Sequence, residues 1–362
     1  MNEIRLEHLD DLALGSVFLA TGGGGDPHIP TLIAREAIKT HGPVHLLSPD
    51  AVADDAKIIT VGSVGAPTVS LELLPSLDDA PRAIQAFEAR PSLCPSPVDA
   101  LVSFEIGGGN SMMPLAAAAV LGRPVIDGDG MGRALPEAQM MSFSIAGISA
   151  TPALAYDYAG NIATFEAKDT LTYERHIRSY SMAAGGMVTV VENLMSGRDL
   201  KHSVIPHTLS FAVKLGQTLR ENRGQADGLL APLKALFAHS IYGDCRMIYT
   251  GKVTNKTTRI IGGFDIGEAT LSAFESGVDP LTISIKNEYL LAQSAGQVLA
   301  SVPDLIVIVD YETGAPINAE RLRFGQRVSV FAVGCPAFFK TEAALKEVHP
   351  RCFGFDIDYA PL

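Results

Sequence analysis

Residues 100–111, Ala100-Leu101-Val102-Ser103-Phe104-Glu105-Ile106-Gly107-Gly108-Gly109-Asn110-Ser111, read as a buried strand running straight into a glycine turn. An alanine-rich helix over residues 113–121 follows. Val125-Ile126 then ends another buried strand, which leads into Asp127-Gly128-Asp129-Gly130-Met131-Gly132-Arg133. Strand, glycine turn, helix, strand, glycine turn is the alternation of an open α/β sheet. Ligands of such sheets bind outside the carboxyl ends of the strands, where both turns lie.

Upstream, Leu6, Leu9, Leu12, Ala13, Val17 and Leu19 recur at helical spacing and run into Thr21-Gly22-Gly23-Gly24-Gly25-Asp26-Pro27. A second helix is expected over residues 30–40, strands over 44–47 and 57–62, and a helix over 76–89; residues 91–97 form a Pro-rich connection. Near residue 165 the pattern changes. Residues 168–183, 207–219 and 228–237 read as helices, and residues 246–333 as short β runs with turns at Asn255-Lys256, Asp279-Pro280 and Thr313-Gly314. The expected architecture is α/β: an N-terminal open α/β domain with glycine-rich turns over residues 1–166. A C-terminal α+β domain rich in antiparallel strands follows over 167–362, helical first and then mostly β as an antiparallel sheet or small barrel.

Apolar residues make up 47% of the 362 and charged residues 19%, enough apolar surface for a dense core. Forty acidic against 28 basic residues leave a net charge of −12, which repels phosphate backbones and anionic lipid, so neither nucleic acid nor membrane is expected as a partner. No apolar run reaches the ~20 residues that cross a bilayer, and the first residues lack the order of a signal peptide. Cys94, Cys245, Cys335 and Cys352 have no metal-type spacing and read as reduced thiols, so a soluble cytoplasmic protein is expected. A homo-oligomer, most simply a two-fold dimer, is the expected assembly.

Three turns carry the candidate chemistry, and they are expected to converge on one cleft. In the first, Gly23, Gly24 and Gly25 let backbone amides approach a ligand and Asp26 adds a carboxylate; the run fits neither a P-loop nor a dinucleotide fingerprint. In the second, Glu105 sits near a strand end, Gly108 and Gly109 turn the chain, and Asn110 or Ser111 caps the next helix, whose free amides suit developing negative charge. In the third, Asp127 and Asp129 can hold a cation or divide acid and base roles, with Glu137 close behind. Their roles are expected to be unequal: Arg133 pairs with the structural aspartate, or holds a carboxylate on the substrate. His28 is the one histidine considered as a metal ligand or proton carrier, beside Asp127 and Asp129. Asn287-Glu288 either reaches the cleft or closes a hairpin, and Cys245 is expected to be inert.

Taken together, residues 12–15 with 21–27, residues 105–110 and residues 127–137 resemble the S-methyl thiohydantoin desulfurase family, formerly a domain of unknown function associated with hydantoinase and oxoprolinase homologues. The closing Phe353-Gly354-Phe355-Asp356-Ile357-Asp358-Tyr359-Ala360-Pro361 is similar to the same family's C-terminus. The resemblance spans essentially the whole chain. It implies an N-terminal α/β domain, a β-rich C-terminal domain and a hydrolase that removes methanethiol from an S-methylated thiohydantoin. For that chemistry Glu105, Asp127 and Asp129 are the catalytic candidates. Gly23, Gly24, Gly25, Asp26, Gly108, Gly109, Asn110, Arg133 and Glu137 are the substrate-binding ones. A carboxylate base or a divalent metal held by His28, Asp127 or Asp129 would activate the water. The alternative is a non-catalytic partner subunit of a hydantoinase- or oxoprolinase-like enzyme.

Overall fold

The computed structural model describes residues 1–73, 75–224 and 226–362. In the first sheet the strands are β1 (Glu3–Ile4), β2 (Val44–Leu47), β3 (Lys57–Gly65), β4 (Ala100–Ser103), β5 (Val125–Asp129), β6 (Ala153–Tyr156), β7 (Ile162–Phe165), β8 (Met187–Ser196) and β9 (Ile205–Pro206). The helices are α1 (Leu9–Leu19), α2 (His28–His41), α3 (Asp79–Glu88), α4 (Met112–Leu121), α5 (Ser142–Ile145), α6 (Thr170–Ala183), α7 (Gly197–Ser203), α8 (Thr208–Glu221), α9 (Leu230–Phe237) and α10 (Glu342–Val348).

Spatial order in the first sheet is β1-β2-β5-β4-β3-β8-β6-β7, with β9 beside β5. Strands β2, β5, β4 and β3 are parallel neighbours, as the reading of residues 100–129 requires. All four residues of β4 are buried, the mark of a strand covered on both faces. Helix α4 is buried nearly all round because every one of its positions is apolar, so no polar face exists to meet water. The sheet does not stop near residue 166: β8 lies antiparallel against β3 in its middle, and β9 pairs with β5. Residues 187–206 therefore complete the sheet that the first half begins.

A second, wholly antiparallel sheet starts at Cys245. Its strands are β10 (Cys245–Ile261), β11 (Phe264–Ala273), β12 (Leu281–Lys286), β13 (Glu288–Ser294), β14 (Gln297–Ser301), β15 (Leu305–Asp310) and β16 (Arg327–Val333), in the order β14-β13-β12-β11-β10-β16-β15. The turn expected at Asn255-Lys256 is instead the middle of the 17-residue β10, where a shift of register between Val253 and Asn255 absorbs the irregularity. The chain reverses at Gly262-Gly263, whose φ angles of 59° and 82° form the left-handed pair a tight hairpin needs. Among the described residues no helix is long and apolar enough to cross a membrane.

Candidate active site

The two sheets meet at the carboxyl ends of β3 and β4, and the junction is stitched by backbone. Tyr289 N donates to Thr21 O at 2.7 Å, and Ala319 N donates to Gly22 O at 2.8 Å. A cavity of about 330 Å³ lies in this seam. Such a volume suits a small-molecule ligand.

The first two glycine turns build one wall against each other. Gly109 N donates to Gly24 O at 2.8 Å, and Gly24 has φ +71°, with its α-carbon so close to Gly107 that any side chain would strike backbone. At Gly23 the missing Cβ makes room for the Glu288 carboxyl. Gly24, Gly25, Asp26, His28, Glu105, Gly109, Asn110 and Glu137 all line the cavity. Gly23 and Gly108 pack behind the wall, with Gly108 against the Gly25 carbonyl.

Glu105 is held from both sides. Its Oε1 accepts from Asn110 Nδ2 at 2.8 Å and its Oε2 from Leu135 N at 3.2 Å. Asn110 is itself oriented because its Oδ1 accepts from Ser63 N at 2.9 Å, so it fixes Glu105 and does not cap α4. Burial pushes the Glu105 carboxyl up to about 7; the Asn110 and Leu135 hydrogen bonds oppose the rise and the neighbouring Asp129 adds to it. Asp26 accepts from Arg321 Nε at 2.6 Å and from His28 N at 2.9 Å. Glu137 forms an ion pair with Lys286.

The third turn is spent on structure. Asp127 lies outside the cavity, where it accepts from Ser210 N at 2.9 Å and Ser210 Oγ at 2.7 Å and meets His207 Nδ1 at 3.2 Å. It satisfies an otherwise free amide in the first turn of α8. Asp129 is fully buried and takes the amides of Met131 and Gly132, both at 2.6 Å, through one oxygen. Burial pushes its carboxyl up to about 7 as well. Arg133 pairs with neither aspartate, contrary to expectation. Fully buried, it donates to the carbonyls of Ala134, Pro303 and Asp304 at 2.9, 3.0 and 2.8 Å and to Thr21 Oγ1 at 2.7 Å. With Nη2 also facing Tyr289 O at 3.5 Å, all five guanidinium N–H groups are engaged, and Arg133 ties the two sheets together.

The metal candidates are not gathered either: His28 lines the cavity while Asp127 faces α8. Among the described residues no three His, Cys, Asp or Glu side chains cluster as a metal site would need. Cys245 is buried, and desolvation pushes its thiol up to about 12, away from the thiolate form that a nucleophile needs.

Four charged cavity residues escaped the sequence reading: Arg321, already met beside Asp26, and Glu174, Arg178 and Glu192. Glu192, in the middle of β8, accepts from the Tyr173 hydroxyl, and burial pushes its carboxyl up to about 8. Glu174 and Arg178, one turn apart on α6, pair at 2.8 Å, and Arg178 lies 4.2 Å from the Phe264 ring centre. The one legible signal was Glu192 within the otherwise uncharged Met187–Ser196, since a charge in a buried strand needs a reason. Both readings of Asn287-Glu288 hold: Asn287, at φ +58°, closes the β12–β13 hairpin, and that turn brings Glu288 to the cavity.

Fold and site together define a two-sheet α/β protein with a small, acid-walled cavity at a topological junction. The chain belongs to the S-Me-THD-like family, matching its N-terminal domain over residues 7–167 and its C-terminal domain over 168–362. A crystal structure of a protein from Chromobacterium violaceum shares the fold with a TM-score of 0.81 at 22% identity, covering 100% of both chains. No curated protein matches the chain.

Proposed function

We propose that the protein is a hydrolase that removes methanethiol from an S-methylated thiohydantoin or a closely related five-membered ring. The observation that carries this reading is Glu105, a carboxyl tuned to about 7 and held by Asn110 and the Leu135 amide in the wall of a 330 Å³ cavity. A general base works best when its pKa lies near the operating pH. The family supports the ring chemistry.

Water attacks the ring carbon that bears sulfur, and Glu105 takes the water's proton. A C–O bond forms, the π pair of the C=N bond moves onto nitrogen, and collapse of the adduct breaks the C–S bond. Water is consumed, methanethiol leaves and the ring carbon becomes a carbonyl. Asn110 keeps the Glu105 carboxylate in place and aimed at the cavity. The apolar wall, with Met113 and Leu135, excludes bulk water and strengthens each polar contact inside.

Thiol release from S-methylated thiohydantoins, followed with a thiol-reactive dye, tests the proposal. Turnover in labelled water should place the heavy oxygen in the ring carbonyl. Absence of thiol release across a panel of S-alkyl thiohydantoins, with and without divalent metals, would sink it.

A further inference from the structure

We propose that Glu105 and Glu288 act as one acid–base pair holding a single proton between them, with Glu105 taking the proton of water and Glu288 giving one to the ring nitrogen. The inference rests on the hydrolase reading and adds to it a residue from the second sheet. Three observations meet here.

The first is placement. Glu288 opens β13 immediately after the left-handed Asn287, and its side chain comes to the same cavity as Glu105 from the opposite sheet. Asn287 is locked in that turn: its Oδ1 accepts from Asp265 N at 2.9 Å and its own N donates to Asp265 O at 2.8 Å. The second is room. The carboxyl occupies the space that a side chain at residue 23 would fill, so the glycine run makes way for Glu288. The third is an unspent atom. Glu288 is 2% exposed, and among the described residues its Oε2 has no hydrogen-bond partner. A buried polar atom that lines a cavity and bonds to nothing in the protein is free for a ligand.

The charges nearby favour one shared proton. Burial and the facing charge of Glu105 push the Glu288 carboxyl well up, while Arg133 and Lys286 oppose the rise. Arg133 is committed to carbonyls and Thr21, and Lys286 is paired with Glu137, so neither neutralises Glu288 fully. Two buried carboxyls that share one cavity each oppose the other's ionisation, which favours one proton on the pair.

The cycle balances. On attack, the water proton goes to Glu105 and the Glu288 proton goes to the ring nitrogen, which receives the C=N π pair. On collapse, the adduct hydroxyl returns its proton to Glu288 as the carbonyl forms, and the departing thiolate takes the proton from Glu105. One proton resides on the pair before and after.

Two measurements on the full-length protein decide the matter. Infrared spectra at about pH 8, far above the ordinary carboxyl range, should show a protonated-carboxyl band in the wild type, to which the buried Glu192, pushed up to about 8, also contributes. The Glu288 part of that band should be lost in Glu288→Gln and kept in Glu105→Gln. Thiol release should fall by about 10²-fold or more in Glu288→Gln on a neutral ring, the scale of lost acid catalysis. On an N-methylated, permanently cationic ring that needs no proton, Glu288→Gln should lose far less, whereas Glu105→Gln should be impaired on both. Equal losses on the two rings, or a band equally strong in the wild type and in Glu288→Gln, would overturn the pair. Thiol release with no band lost in Glu288→Gln refutes the shared proton and leaves the hydrolase reading intact. A band lost in Glu288→Gln without thiol release from any ring refutes the hydrolase reading and, with it, the catalytic use of the proton.

Discussion

The turns that follow β4 and β5 look alike in sequence and do opposite work. Each leaves a parallel strand of the same sheet, each is rich in glycine and each carries carboxylates. After β4, Glu105 takes one side-chain N–H and one amide and stays at the cavity wall. At the end of β5, Asp127 is taken up by α8, Asp129 gives one oxygen to the amides of its own turn and keeps Oδ2 without a partner among the described residues, and Arg133 is taken up by carbonyls of the second sheet; neither aspartate lines the cavity. A carboxylate at a strand end is therefore a candidate for the site only where the fold brings it to the cavity wall, as it does Glu105 and neither aspartate. Where it faces a helix or its own turn instead, the same residue type satisfies free amides and becomes structure.

Substitutions on the two turns should separate these roles. Glu105→Gln should lower turnover by roughly 10²–10⁴-fold with little change in thermal midpoint; retained activity would erase the contrast from the β4 side. Arg133→Met should cost roughly 3–5 kcal/mol of stability, because buried carbonyls and neighbouring carboxylates lose their counter-charge. Denaturant unfolding measures this, and a change below about 1 kcal/mol would show that Arg133 is not the tie between the sheets. Asp127→Ala should cost about 1 kcal/mol, the scale of a lost helix cap, and leave kcat unchanged. A drop in kcat at constant stability would return Asp127 to the site.

The buried carboxyls are also read in the pH dependence of stability. Glu105 and Asp129 each stand at about 7 in the folded chain, above ordinary values of 4.5 and 3.8. A raised folded value means that their stabilising contribution is full below the ordinary value and lost as pH rises through about 7. Melting temperature should therefore fall as the solution is taken from about pH 5 to about pH 8, and Glu105→Gln and Asp129→Asn should each flatten the slope. A wild-type midpoint that rises over this range would contradict both buried carboxyls.

What the amino-acid sequence determined by itself was local. Periodicity located β2, α3, α4 and the strands flanking the two turns, because hydrophobic spacing and glycine punctuation act over a few residues. Motif combination was enough to place the family across the chain. The roles of the acids came only with the tertiary structure. Glu288 reaches Gly23 across more than 260 positions, Arg133 reaches Asp304 across 171, and Asp127 reaches Ser210 across 83. A polar side chain is defined by the partners that satisfy it, and those partners come from strands and helices that meet only when the two sheets pack. No spacing rule along the chain carries that information, so Asp127 read as chemistry and Glu192 went unread.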